Sequence, residues 1–209
     1  MSTFRKILYL WILASSVAAI ANEIVPAEDI LAGKILYENN CLQCHGENGI
    51  SDVSSIPNLR GQKMAYMKYE FVSFLAATPE RYSPPEMVTA LRNIEKEGRK
   101  KVLLYLSSLP LANEPLEDIE HPGKALYENH CSACHKAGGI TNPDSSSPFL
   151  RGQNKEYLAT QLSNFENETR PSGIMLSGER ITELREAGTL EPIIDYLSNL
   201  PIKRSSESE

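Results

Sequence analysis

Two short segments hold every cysteine of this 209-residue chain, and each follows the pattern Cys-x-x-Cys-His. This spacing is the attachment signature of c-type haem, because two thiols can add to the two vinyl groups of one haem while the next histidine ligates its iron. Two copies of the motif predict two covalently bound haem c groups. The residues predicted to hold them are Cys41, Cys44, His45, Cys131, Cys134 and His135.

Four cysteines also allow other kinds of site. A zinc site built from two Cys-x-x-Cys pairs usually places the pairs closer together, and it gives no reason for the histidines. Two disulfides are possible in an exported protein, but they leave the histidines unexplained as well. A thioredoxin-like redox pair needs a βαβ context, which is not visible in this sequence. The haem interpretation is favoured, and it predicts electron transfer.

An iron held by one histidine has a sixth position, which a methionine thioether commonly fills. The second half of the chain contains a single methionine, Met175, 40 residues after the second motif. Met87 stands 42 residues after the first motif, in a proline-rich stretch, and is its equivalent in the repeat. Met64 and Met67 fall on a predicted helix, where methionine more often fills the core. We therefore predict Met87 and Met175 as iron ligands.

Two further histidines are weaker candidates for the sixth position. His130 directly precedes the second motif, and His121 lies in the stretch between the two motifs; we expect both at the surface. Pro57 and Pro148 follow the two motifs, and two interpretations of them stay open. Their carbonyl groups could accept the second ring N–H of a ligating histidine, or they could only mark turns.

The chain is an internal duplication with a period of about 90 residues, the size of a small domain. The segment 33–39 recurs at 123–129, and Leu-Arg-Gly-Gln recurs at 59–62 and 150–153. Apolar residues recur at helical spacing in both copies. The segments concerned are about 27–39, 64–77, 98–109, 155–167 and 190–200. No strong strand pattern accompanies them, so the sequence predicts an all-α fold.

Glycine interrupts the first helical segment of each copy. Gly33, in the segment 27–39, should cost its helix about 1 kcal/mol against alanine, which predicts a packing reason for its presence. The close approach of another helix would supply that reason. We expect segment 98–109 to pack at Gly33 and segment 190–200 to pack at Gly123.

The N-terminal segment has the features of an export signal. Arg5 and Lys6 precede an almost wholly apolar run, and the residues that end at Ala21 fit the small-x-small rule for cleavage. The run is shorter than the about 20 residues that span a bilayer. We expect cleavage after Ala21 and a periplasmic location, which also suits covalent haem attachment; an uncleaved anchor is the alternative. No later segment is expected to cross a membrane.

The predicted organisation follows from the repeat and from composition. The segments are a signal peptide 1–21, a first domain 22–111, a linker 112–122, a second domain 123–203 and a disordered tail 204–209. The formal charge is −6, which makes nucleic acid an unexpected partner. Residues 22–111 carry 10 basic and 11 acidic side chains, whereas residues 112–209 carry 9 and 16. This asymmetry could steer a charged partner, or it could only keep the surface soluble.

On these motifs the chain resembles the cytochrome c4 family of dihaem cytochromes c. The duplicated Pro-x-Leu-x-Gly-Gln segments, at 57–62 and 148–153, carry the resemblance together with Tyr66, Tyr157 and the haem motifs. The resemblance implies two tandem class I cytochrome c domains, each a few helices wrapped around one covalent haem. It also favours the carbonyl role of the two prolines. Arg60 and Arg151 depart from the family, in which that position is associated with a smaller residue.

The resemblance further implies an electron carrier and not an enzyme. Such a protein would shuttle single electrons through two His/Met-ligated haems, from a membrane donor to a terminal oxidase or another respiratory acceptor. The alternatives are a cytochrome subunit of a periplasmic dehydrogenase, such as a flavocytochrome sulfide or alcohol dehydrogenase, and a dihaem redox enzyme. The expected partners are redox proteins. We expect no substrate-sized pocket, and membrane contact only through partners or an uncleaved anchor.

Overall fold

The computed structural model describes residues 25–76, 84–112, 119–141, 147–170 and 177–202. The described residues form helices and turns and contain no strand, which confirms the all-α prediction. The helices of the first half are α1 (Ala27–Asn40), α2 (Leu42–His45), α3 (Met64–Ala76), α4 (Pro85–Arg92) and α5 (Lys96–Ser108). Those of the second half are α6 (Pro122–His130), α7 (Ser132–His135), α8 (Lys155–Glu166), α9 (Gly178–Glu186) and α10 (Leu190–Ser198).

The five helices predicted from apolar spacing are all present, as α1, α3, α5, α8 and α10. Among the helices longer than one turn, α4 and α9 were not expected. A proline often marks a turn, but Pro85 begins α4, where its fixed φ and missing N–H carry no penalty. The side chain of Ser177 caps α9 by accepting a hydrogen bond from the backbone N–H of Arg180.

The first and last helices of each half cross at a glycine, as the sequence predicts. A side chain at Gly33 would collide with the carbonyl oxygen of Lys101 and lie 3.1 Å from the Cβ of Tyr105. At Gly123 the corresponding obstacles are the carbonyl of Pro192 and the Cβ of Tyr196. The glycines therefore let α1 approach α5, and α6 approach α10, at backbone distance.

Buried tyrosines at these crossings fix the residues that follow the Cys-x-x-Cys-His motifs. The hydroxyl of Tyr37 donates to the carbonyl of Gly46 at 2.6 Å, and that of Tyr127 donates to the carbonyl of Lys136 at 2.7 Å. Both rings are wholly buried. Burial raises the pKa of both phenols, so they remain hydrogen-bond donors. Each motif is thus tied to the core of its half.

The two arginines that depart from the family pattern hold each half together. Arg60 Nε donates to the carbonyl of Pro110 at 2.8 Å, and Arg151 Nε donates to the carbonyl of Pro201 at 2.9 Å. Both side chains are buried. Each therefore ties the segment after a haem motif to the end of the last helix of the same half.

The two halves contact each other through the segments that follow the motifs. The side-chain amide of Asn154 donates to the carbonyl of Ile56 at 2.7 Å, and the backbone N–H of Tyr157 donates to the carbonyl of Ser54 at 3.0 Å. The first residue of the predicted linker, Ala112, makes a separate contact, because its backbone N–H donates to the carbonyl of Ile202 at 3.0 Å. Residues 113–118 of the linker lie outside the described residues.

A buried ion pair also joins the halves. Arg170 Nη2 lies 3.0 Å from the carboxylate of Glu70 and 2.9 Å from the hydroxyl of Tyr66. The side chains of Arg170 and Glu70 are each 12% exposed. The ring of Phe165 lies 4.7 Å from the guanidinium carbon. Burial alone would lower the pKa of Arg170, but the surrounding tyrosines and Glu70 outweigh it and raise that pKa. The arginine is therefore a fixed positive charge between the halves.

Within the described residues no helix is both long and apolar enough to cross a membrane. The predicted export signal and the predicted tail from residue 204 fall outside the described ranges.

Candidate haem sites

Each Cys-x-x-Cys-His motif folds into one turn of helix directly after a longer helix. The backbone N–H of Cys41 donates to the carbonyl of Tyr37 at 2.7 Å, at the end of α1. The backbone N–H of His45 donates to the carbonyl of Cys41 at 2.9 Å and closes the turn of the motif. In the second half the motif is built in the same way after α6, on bonds of 2.8 and 3.0 Å. In both halves the first cysteine is half-buried and the second is exposed. Both thiols of a pair thus lie on one short helical turn.

The two motif histidines are buried and have defined tautomers. His45 is 7% exposed with its Nδ1 3.0 Å from the carbonyl oxygen of Pro57, and His135 is 5% exposed with its Nδ1 3.1 Å from that of Pro148. A carbonyl oxygen only accepts, so Nδ1 carries the hydrogen and donates it. In the neutral ring Nε2 then keeps a lone pair for a metal. The carbonyl interpretation of the two prolines is confirmed.

The electrostatics of the site favour that neutral ring. Burial lowers the pKa of His45 and of His135, and the bonded carbonyl of the proline opposes this only in part. Burial and the neighbouring cysteine raise the pKa of Cys41 and of Cys131 to about 11. A thioredoxin-like pair needs a depressed thiol pKa and a βαβ context, and the described residues contain no strand.

The remaining alternatives for the cysteines fail on geometry. All four cysteines are free, so the disulfide alternative is contradicted. Among the described residues, no three His, Cys, Asp or Glu side chains come together as a zinc site built from both cysteine pairs would require.

The methionines occupy different environments. Met67 is 3% exposed and belongs to the core of the first half, as expected for a core filler. Met64 and Met87 are both half-buried against that core. Met87 lies in the first turn of α4 and not in a loop. Met175 lies outside the described residues, so both iron-ligand assignments to methionine stay predictions.

The two extra histidines have other partners. His121 was expected at the surface, but it caps α6. Its Nδ1 accepts from the backbone N–H of Gly123 at 3.0 Å, and its Nε2 lies 3.1 Å from the Asp195 carboxylate. Both ring nitrogens are therefore occupied. His130 was also expected at the surface, but it is half-buried, with its Nδ1 3.5 Å from Arg180.

The donor set of each half fits haem c. Two thiols lie on one turn, next to a buried histidine whose Nε2 is unprotonated and whose ring is held by a carbonyl. Haem c supplies an iron that can hold or release one electron. The chain attaches the group, orients the ring and keeps a proton on Nδ1. The sequence predicted this set because all of its members lie within one short motif.

The same conclusion follows from comparison with known proteins. The sequence model of the family described as Cytochrome c matches residues 30–110 and 121–189. The chain belongs to the cytochrome c family. With its two family domains, it is a dihaem electron-transfer protein that binds two covalent haem c groups, and it is an electron carrier, not an enzyme.

Individual relatives support the cytochrome c4 family. Cytochrome c4 of Azotobacter vinelandii is 28% identical over 145 residues, which cover 62% of this chain and 69% of the relative. The crystal structure of reduced recombinant cytochrome c4 from Pseudomonas stutzeri has the same fold, with a TM-score of 0.66 and 23% identity; the match covers 82% of this chain and 98% of that one. The FixP subunit of the cbb3-type cytochrome c oxidase of Sinorhizobium medicae is 23% identical over 177 residues, 78% of this chain and 61% of the subunit.

Proposed function

We propose that this protein carries single electrons through the periplasm, from a membrane-bound donor to a terminal oxidase or another respiratory acceptor. One observation carries the proposal: His45 and His135 are both buried and both held by a carbonyl. A rigid ligand costs little reorganisation when the charge of the iron changes. The first haem would use Cys41, Cys44, His45 and Met87. The second would use Cys131, Cys134, His135 and Met175.

A second candidate is a cytochrome subunit bound within a larger redox complex. The similarity to FixP, an oxidase subunit, favours it, and a periplasmic dehydrogenase is another possible host. Purification from native membranes and periplasm distinguishes the two. A free monomer in the periplasmic fraction supports the carrier, whereas co-elution with a catalytic subunit through every column supports the bound subunit.

Replacing Met87 with alanine should remove about half of the weak far-red absorption of oxidised protein, because that band reports sulfur bound to iron. The variant should also bind CO at one iron and have a lower potential there, since a thioether favours ferrous iron. Visible spectra during a potentiometric titration measure all three effects.

Met64→Ala is the matched control, since Met64 is also half-buried against the core of the first half. Met175→Ala should reproduce the result of Met87→Ala at the other haem. The Met87 assignment is wrong if Met64→Ala removes the band and Met87→Ala leaves it unchanged.

The basic run at the start of α5 is only partly available to a partner. Arg99 Nη1 donates to the carbonyl groups of Leu91 and Ile94 at 2.8 and 2.5 Å, so this arginine caps α4 and the turn after it. Lys101 lies 2.9 Å from Asp29. Lys96 and Lys100 are exposed. They are the better candidates for steering a partner.

Replacing Lys96 and Lys100 together with glutamine should slow electron transfer to an acidic partner about threefold at low salt. The loss should shrink as ionic strength rises, because exposed charges are screened beyond about 10 Å at 0.1 M salt. Stopped-flow rates at several salt concentrations measure it. Lys34→Gln combined with Lys68→Gln removes the same net charge from exposed positions on α1 and α3 and is the matched control. Equal rates for wild type and the double variant at every salt concentration would contradict steering by these lysines.

A further inference from the structure

Two buried glutamines cross between the halves in a reciprocal arrangement. Gln153 Oε1 accepts from the backbone N–H of Asn58 at 2.8 Å, and its Nε2 donates to the carbonyl of Asn58 at 3.0 Å. Gln62 makes the same two bonds to the backbone of Phe149, both at 3.0 Å. The glutamines are 5 and 6% exposed. Gln62 and Gln153 are equivalent in the repeat, as are Asn58 and Phe149.

The peptide that each glutamine binds is the one that holds a motif histidine. The peptide between Pro57 and Asn58 accepts from His45 through its carbonyl oxygen and donates to Gln153 through its N–H. The ring of His45 in the first half is therefore connected, through a single peptide group, to a side chain of the second half.

The second half repeats the connection. The carbonyl of the Pro148–Phe149 peptide accepts from His135, and the N–H of the same peptide donates to Gln62. Each half thus supplies the glutamine that binds behind the histidine of the other half, and the arrangement is crossed in both directions.

Hydrogen bonds in series through one peptide group polarise each other. When the N–H of the peptide donates, its carbonyl oxygen becomes more electron-rich and accepts more strongly from the histidine Nδ1–H. A stronger bond at Nδ1 makes the ring a more basic metal ligand. A more basic ligand stabilises ferric over ferrous iron, so the potential falls.

We propose that Gln153 and Gln62 are positioning residues that lower the reduction potential of the haem in the opposite half. The inference rests on the proposed ligation by His45 and His135. On this proposal, the reduction potential of each haem is lowered only while the two halves are in contact. A partner that disturbs the contact between the halves would then raise both potentials together.

The test is the pair of variants Gln153→Leu and Gln62→Leu, each in the full haem-loaded chain. Gln153→Leu should shift the reduction equilibrium of the first-half haem about threefold toward the ferrous state and leave the other haem unchanged. A tenfold change in a one-electron reduction equilibrium corresponds to 59 mV, so a threefold change corresponds to a shift in potential of about 28 mV. Gln62→Leu should move only the second-half haem. NMR contacts between haem methyl groups and side chains of each half assign the two potentials.

Asn154→Leu is the matched control. It removes bonds from the Asn154 side chain to the carbonyl groups of Ser51, Val53 and Ile56, and the bond that Asn154 Oδ1 accepts from the side-chain amide of Asn58 at 3.2 Å. None of these bonds involves the carbonyl or the N–H of the Pro57–Asn58 peptide. It should lower the unfolding temperature without moving either potential. A second readout is amide hydrogen exchange at Asn58, which should accelerate in Gln153→Leu.

If the glutamines only held the two halves together, their substitution would not shift the reduction potential of the opposite haem alone. A shift confined to the half that contains the substituted glutamine would overturn the proposal, and so would an equal shift of both haems. Unchanged potentials with faster exchange at Asn58 would overturn it as well. Failure of the proposed histidine ligation appears separately, because His45→Ala and His135→Ala would then leave the visible spectrum of the haem-loaded protein unchanged.

Discussion

A chain in which Cys41 and Cys44 are both alanine should carry one covalent haem instead of two. The two thiols are the attachment points on α2, and the other pair lies in the other half of the chain, so the remaining site should load normally. Intact mass after acid–acetone extraction should fall by one haem relative to wild type. The pyridine haemochrome absorbance per chain should fall by half.

Gln43→Ala provides the control, because Gln43 is exposed between the two cysteines and supplies no thiol. It should keep both haems. The reciprocal variant, with Cys131 and Cys134 replaced by alanine, should also keep one. A double alanine variant that retains two covalently attached haems would refute the attachment role of its cysteine pair.

Replacing Arg170 with methionine should destabilise the protein by about 3–5 kcal/mol, because it removes the guanidinium that lies against the largely buried carboxylate of Glu70. The hydroxyl of Tyr66 loses a donor in the same change. Chemical unfolding of the haem-loaded protein measures the effect. The decrease in the free energy of unfolding should be largest for the step in which the two halves separate.

Two comparisons separate the ion pair from simple loss of packing. Combining Arg170→Met with Glu70→Gln should recover part of the stability, because the buried charge is removed as well. Arg180→Met breaks an exposed pair with Glu183, whose side chains are 44% and 55% exposed, and should cost about 1 kcal/mol or less. A loss in Arg170→Met no larger than in Arg180→Met would contradict the role of the buried pair.

Local patterns predicted most of the fold and the attachment residues. Apolar residues at helical spacing identified α1 and α5, and Gly33 predicted where they cross, because these signals depend only on neighbours in sequence. The two cysteines and the histidine of each motif lie within one turn of helix. The sequence did not predict the helix that holds Met87, because a proline that begins a helix resembles a proline that ends one.

The contacts between the halves could not be predicted from local sequence. Gln62 and Phe149 are 87 residues apart, and Arg170 and Glu70 are 100 residues apart, so no periodicity connects them. The repeat did mark Gln62 and Gln153 as a shared feature, but not their partners. The arginine at position 60 was visible as a departure from the family pattern, and only the structure supplies its partner, the carbonyl of Pro110.

The crossed glutamine contacts have the form of an isologous interface. In a two-fold dimer, residue i of one copy contacts residue j of the other, and j contacts i in return. Here Gln153 binds the backbone of Asn58, and Gln62 binds the backbone of Phe149, which is the equivalent of Asn58 in the repeat. The seam within this one polypeptide thus has the symmetry of an interface between two copies of one domain. The charges do not follow that symmetry, because residues 22–111 are nearly neutral and residues 112–209 are acidic.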